Sequence, residues 1–305
     1  MFVTISKHQE NKNHSDKWDN LTIGGKPIAF LQQPLLNQFE GKVNRADKST
    51  FWYLEFFKDT EYKIELFVSF HTEKPERIKC ISKAIWQEAS NGRPSQGQVE
   101  IASRWLRGSS TLGLKDYEDR GDLLWSVDGT GFSMFSDSIQ YPRFERAVLL
   151  LALTCAYRLR LQALINELAD WDNDPLRLTK LVRRATEFNA RCYFRHPVLM
   201  DRTELPYVWD RMSERMRLQA INEELLDQLR SLHDLIAADE RDRVAQERER
   251  ARDEMERARH KEAIRWQIVG LAIGVISLIQ VVSLLPESIR DPWVIKILNW
   301  IGIVL

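Results

Sequence analysis

The sequence predicts an α/β N-terminal domain, then a long helical region and stalk helix leading into two C-terminal membrane segments. Three observations carry this. Strand patterns fill the chain up to Pro142 and none follows it. Beyond Pro206 no Gly or Pro occurs before Gly270, so one long helix is expected there. Residues 266–285, WQIVGLAIGVISLIQVVSLL, carry no charge. As a helix that stretch rises about 30 Å, the thickness of a bilayer's hydrocarbon core.

Composition bounds the rest. With 305 residues, 44% hydrophobic and 29% charged, the chain can bury a core in one or two domains. Its formal net charge is zero, so nothing in the charge balance points to nucleic acid as a partner. A mean hydropathy of -0.39 makes any membrane part a minority. Cys80, Cys155 and Cys192 lack metal-ligand spacing and predict free thiols in a reducing compartment. Residues 1–20 are polar and hold no apolar run, which predicts a flexible N-terminus, no secretory signal and a cytoplasmic N-terminal domain.

The α/β domain is expected over 21–140. Residues 21–30 form a hairpin around Gly24-Gly25. Residues 51–57 and 62–70 are strands, the second with Tyr62, Ile64, Leu66, Val68 and Phe70 on one face. Residues 76–89 read as a helix, since Ile78, Ile81, Ala84 and Ile85 fall at helical spacing. Residues 123–135 form a second hairpin at Asp128-Gly129.

A helical region follows over 141–203. Its first helix, 144–169, has an apolar run at 147–156 that is too short to cross a bilayer and is flanked by arginines, so it reads as core. Residues 172–175 break it, and 176–194 form a second helix. The stalk spans 204–265. Leu218, Leu225, Leu229, Leu232 and Ile236, with Asn222 among them, follow coiled-coil-like spacing and predict an oligomer seam. Residues 239–262 are nearly all charged, with pairs such as Asp239–Arg243, Glu247–Arg250 and Glu254–Arg257 supporting a solvated helix. That stretch is either a spacer or, through Val244, Ala251, Met255 and Ala258, a packing stripe.

Arg257, Arg259, Lys261 and Arg265 precede the first membrane helix at 266–285, whereas the outer loop at 286–292 carries only Arg290 beside Glu287 and Asp291. The positive-inside rule therefore puts the N-terminal side in the cytoplasm. Gln267, Gly270, Gly274, Ser277 and Val281 share a stripe, with Gly270 and Gly274 as a GxxxG. The stripe is either a helix-packing face or, with Gln267, Ser277 and Gln280, the edge of a water-filled path; both need partners. Residues 293–305, WVIKILNWIGIVL, read as a short second span, with an interfacial helix as the alternative.

No catalytic constellation is found. The Asp128–Gly131 segment precedes strand-like residues rather than a helix, so it is a turn and not a phosphate loop. Gly24-Gly25-Lys26 lacks the rest of a P-loop, His196 and His233 have no ligand partner at helical spacing, and Ser109-Ser110 lacks a nucleophile elbow. No enzyme activity, cofactor or metal is expected.

The order of parts resembles the CorA family of divalent-cation channels: a cytoplasmic α/β domain, a helical region, a stalk running into a first span, a short outer loop and a second span. Residues 185–209, ATEFNARCYFRHPVLMDRTELPYVW, followed by the leucine seam and charged stalk, look like the helical region of divergent bacterial members. The resemblance covers 142–305; over 1–140 it rests on α/β texture. It implies a homo-oligomer, a pentamer, in a bacterial inner membrane, with the first span lining an ion path gated by the cytoplasmic domain. The family's Gly-Met-Asn has no counterpart, since 282–286 reads VSLLP, and Gln280 and Ser283 are the nearest polar residues. The resemblance therefore names no ion. Pore-lining or helix-packing candidates are Gln267, Gly270, Gly274, Ser277, Gln280, Val281 and Ser283. Two further readings stand beside the channel. One is a membrane-anchored effector or sensor, for example in bacterial defence, that answers a ligand or protein partner at its cytoplasmic domain. The other is a non-conducting anchored scaffold.

Overall fold

The computed structural model describes residues 1–7, 18–46, 49–76, 79–129, 131–172, 174–201, 204–283 and Lys296. It divides into two units, Met1–Asp234 and Leu235–Leu305. In chain order the elements are β1 (Phe2–Ser6), β2 (Asp19–Asn20), β3 (Thr22–Ile23), β4 (Lys26–Pro27), α1 (Gln33–Leu36), β5 (Phe39–Ala46), β6 (Ser49–Phe56), β7 (Ile64–His71) and β8 (Ser82–Glu88). There follow α2 (Gln96–Arg107), β9 (Glu118–Asp119), β10 (Leu123–Asp128), β11 (Gly131–Ser136), α3 (Tyr141–Ala169), α4 (Pro175–Arg191), α5 (Leu205–Arg215) and α6 (Leu218–Ser283). The first unit thus has the expected mixed sheet before the helices.

Nine strands form one sheet in the order β2-β5-β6-β7-β1-β8-β11-β10-β9. Every neighbouring pair is antiparallel except β8 and β11, which run parallel. A parallel pair needs a crossover, and α2 lies within it. β11 is buried along its whole length because both its faces are covered. Phe135 and Ser133 meet Tyr117 on the α2 side, where Ile85, Val99, Ala102 and Trp105 complete a cluster. Phe132 stacks on Phe144 of α3 on the other side. Helices therefore cover this half of the sheet on both faces.

Both expected hairpins form, β3–β4 around Gly24-Gly25 and β10–β11 beside Asp128. Two readings are corrected. Phe2–Ser6 is not flexible: Val3 and Ile5 are fully buried and β1 pairs with β7 and β8 on either side. Five residues beside a polar run give little periodic signal, and the tertiary slot decides. Residues 8–17 lie outside the described residues. Within the range 76–89 expected to be a helix, residues 77–78 lie outside the described residues and Ser82–Glu88 is strand β8. Its apolar residues fit helical spacing, but ladders to β1 and β11 satisfy its backbone on both sides.

α3 is the core helix foreseen. Every residue from 147 to 157 is buried. Tyr157 is its hub, with ring centroids of Phe57, Tyr193 and Trp209 within 5.0–5.8 Å. Its hydroxyl donates to the Cys192 carbonyl at 2.9 Å and accepts from the Phe194 N–H at 3.2 Å.

The stalk is not one helix from Pro206. α5 ends at Arg215, Arg217 takes a left-handed backbone with φ 54, and α6 starts at Leu218. In a continuous helix, positions 216 and 218 point about 200° apart. Here Met216 and Leu218 are both buried, and the turn at exposed Arg217 makes that possible. A left-handed L-residue costs roughly 1–2 kcal/mol, which the burial offsets. The leucines expected to form an oligomer seam share in this packing in part. Leu218, Leu225 and Leu229 are buried by the chain itself, and Leu232 and Ile236 are half-buried. Asn222 exchanges side-chain hydrogen bonds of 2.6 and 3.0 Å with Asn189 of α4, which pins the start of α6.

Asn222→Ala strands Asn189 in a half-buried site. A loss of about 1–3 kcal/mol is expected, read as a lower unfolding midpoint of the full chain by tryptophan fluorescence. Adding Asn189→Ala costs less than a second independent loss. A pH effect is also expected. Glu145 on α3 accepts the Gly24 N–H, and burial pushes its carboxyl from 4.5 up to about 6. A raised carboxyl favours the fold only while protonated, so its contribution falls as pH rises from 4.5 to about 6. Glu145→Gln is expected to be more stable than the parent at pH 7, by up to about 2 kcal/mol, and equal to it at pH 4.

Candidate membrane segment

Among the described residues two helices are long and apolar enough to cross a membrane: Ser138–Ala169, whose most apolar window has mean hydropathy 1.6, and Leu218–Val281, whose window has 1.7. Burial separates them. The apolar window of the first is 72% buried in the chain's own core, and that of the second 0%. Nine large aliphatic residues between Ile268 and Val281 are exposed, Leu271 to 72%. Leaving one such side chain in water rather than burying it costs about 1.5–3 kcal/mol, so the segment as a whole forgoes on the order of 15 kcal/mol.

Local chemistry shapes the helix. From 239 to 262 the α6 surface is charged and largely exposed, and Arg243 lies 2.9 Å from Glu240 and 3.8 Å from Glu247. The expected Asp239–Arg243, Glu247–Arg250 and Glu254–Arg257 pairs are not formed among the described residues. Arg243 instead bridges carboxylates three before and four after it, and such exposed pairs are worth only a few tenths of a kcal/mol. From Trp266 the charges stop.

Gln267, Gly270, Gly274, Ser277 and Val281 fall within about 80° of arc on this continuous helix, and all are exposed. Nothing stands within 4 Å of where a Cβ on Gly270 or Gly274 would be, so a second helix backbone has room to approach. The Ser277 hydroxyl donates to the Ile273 carbonyl at 2.9 Å, which satisfies its donor inside the helix. Gln280 lies about 60° beyond Ser277. Ser283, the last residue of α6, falls by helical phase about 120° from Ser277 and outside the stripe. Thus the helix brings five of the seven candidates together. Residues 284–295 and 297–305, and with them the outer loop and most of the second span, lie outside the described residues; Lys296 is helical and exposed.

Several polar side chains of the globular unit have partners within it. Arg107 grips Asp128 with two hydrogen bonds of 2.7 and 3.1 Å. Ser109 Oγ pairs with Thr111 Oγ1 at 3.0 Å, and its carbonyl accepts from Ser103. His196 Nδ1 lies 3.6 Å from Asp210 and His233 Nδ1 3.9 Å from Asp234. All three cysteines are free thiols. Burial pushes Cys155 up to about 12, Cys192 up to about 11 and Cys80 upward, so all three stay protonated at neutral pH. Among the described residues no three His, Cys, Asp or Glu side chains converge as a metal site.

No protein-family model, curated protein or solved structure matches this chain.

Placing two charges mid-segment tests the membrane reading. Ile273→Arg with Ile276→Arg adds about 5–7 kcal/mol to insertion. Cell fractionation is expected to show the parent in the membrane pellet and the variant displaced from it.

Proposed function

We propose that this chain is an oligomeric membrane protein of CorA-like layout, whose apolar α6 segment lines an ion path of divergent selectivity. The carrying observation is a bare, uncharged helix with a basic flank and a single stripe of small residues. The basic flank supports a cytoplasmic globular unit in a bacterial inner membrane. Small residues let helices pack closely around an axis, and a pentamer is the stoichiometry that the resemblance implies. A narrow path lined by Gly270, Gly274, Ser277 and Val281 is nearly apolar and closes by dewetting. Opening it takes a change passed along α6, whose first turns the globular unit holds through Leu218, Leu225, Leu229 and the Asn189–Asn222 pair.

One observation favours a second reading, a membrane-anchored sensor, effector or scaffold that conducts nothing. Leu218, Leu225 and Leu229 are buried by the chain itself, which leaves association to the half-buried Leu232 and Ile236, the membrane stripe and the thin charged stalk. An anchor needs none of these.

Liposome flux separates the two. The channel reading expects a cation leak from reconstituted full-length protein that Gly274→Leu lowers at least tenfold, together with a shift toward monomer in native mass spectrometry. A monomeric parent with no flux at any voltage leaves the anchor.

A further inference from the structure

Three arginines from separate stretches of the globular unit line one groove of about 390 Å³. Arg158 follows Tyr157 on α3, Arg215 closes α5, and Arg217 is the left-handed residue before α6. Ala220 and Ile221, on the first turn of α6, complete that wall. All three guanidinium groups are exposed, and none makes a side-chain hydrogen bond or ion pair among the described residues.

Several other arginines of this unit are paired. Arg107 holds Asp128, Arg143 lies 3.2 Å from Asp122 and 3.3 Å from Glu204, and Arg211 lies 2.9 Å from Glu118. Glu224, the one carboxylate lining the groove, accepts a hydrogen bond from Gln228. Three like charges around one hollow repel each other, and one carboxylate leaves a surplus of two.

We propose that this groove binds a phosphate-bearing anion, with Arg158, Arg215 and Arg217 donating to its oxygens. A phosphate dianion matches the surplus charge, and its oxygens suit the planar forks of guanidinium groups. The site sits where α5 gives way to α6, so an occupant bears on the start of the helix that carries the apolar segment. The inference does not depend on whether the chain conducts ions.

Calorimetric titration of the full-length protein in detergent with inorganic pyrophosphate tests it. One saturable site per chain is expected, weakened about tenfold by each of Arg158→Gln, Arg215→Gln and Arg217→Gln, and lost in the triple variant at an unchanged unfolding midpoint. Arg248→Gln, on the solvated part of α6, leaves binding as in the parent. Repeating the titration in mixed micelles containing phosphatidylglycerol distinguishes the source. Competition identifies a lipid headgroup, and undiminished binding a soluble phosphate; both support the site. No saturable binding in either medium, or a triple variant that binds like the parent, overturns it.

Discussion

The burial of α3 on every side is the constraint on which the globular unit depends. Residues 147–157 present apolar side chains around the full turn of the helix, so one packing partner cannot cover them. The sheet covers one side through Phe132 and its neighbours. α4 and α5 pack on the rest, and Tyr157 joins them through the Cys192 carbonyl and the rings of Phe57 and Trp209. That demand also explains the break before α6. Met216 and Leu218 can both close the core only if the chain turns between them, and Arg217 takes the strained backbone that allows it.

α3 and α6 carry apolar stretches of similar hydropathy with opposite fates. In α3 arginines bracket the run and the fold consumes it. In α6 the run continues for twenty residues and the globular unit spends its apolar contacts earlier, at Leu218, Leu225 and Leu229. The chain therefore has no apolar surface assigned to the later segment among the described residues, and a bilayer is the solvent that suits it. The stripe through Gly270 and Gly274 then becomes the face where backbones can meet.

Much of the architecture was legible where one period dominated. The strand residues of β6, the alternation in β7, the Asp128-Gly129 turn and the arginine-bounded run of α3 each left a local signature. β1 and β8 did not, because their strand character comes from neighbours on both sides. α2 was missed although Ser95 and Gln98 form a capping box and Gly108 closes the helix in a left-handed conformation. That S-x-x-Q signal was readable. Coiled-coil spacing alone does not tell an oligomer seam from a core face, since leucines such as Leu218, Leu225 and Leu229 also pack within one chain. Of the candidate sites, the membrane stripe was legible because helical phase alone sets it. The arginine groove was not, because residues 158, 215 and 217 meet only after α3, α5 and α6 have packed.

The central claim is that residues 266–285 cross a bilayer with the basic flank inside. Impermeant maleimide labelling of Glu262→Cys and Glu287→Cys, each in a chain with Cys80→Ser, tests it most directly. The two remaining native thiols are buried. The account predicts that Glu262→Cys is labelled only in inverted membrane vesicles and Glu287→Cys only in right-side-out ones. Labelling of both positions from the same side would contradict it.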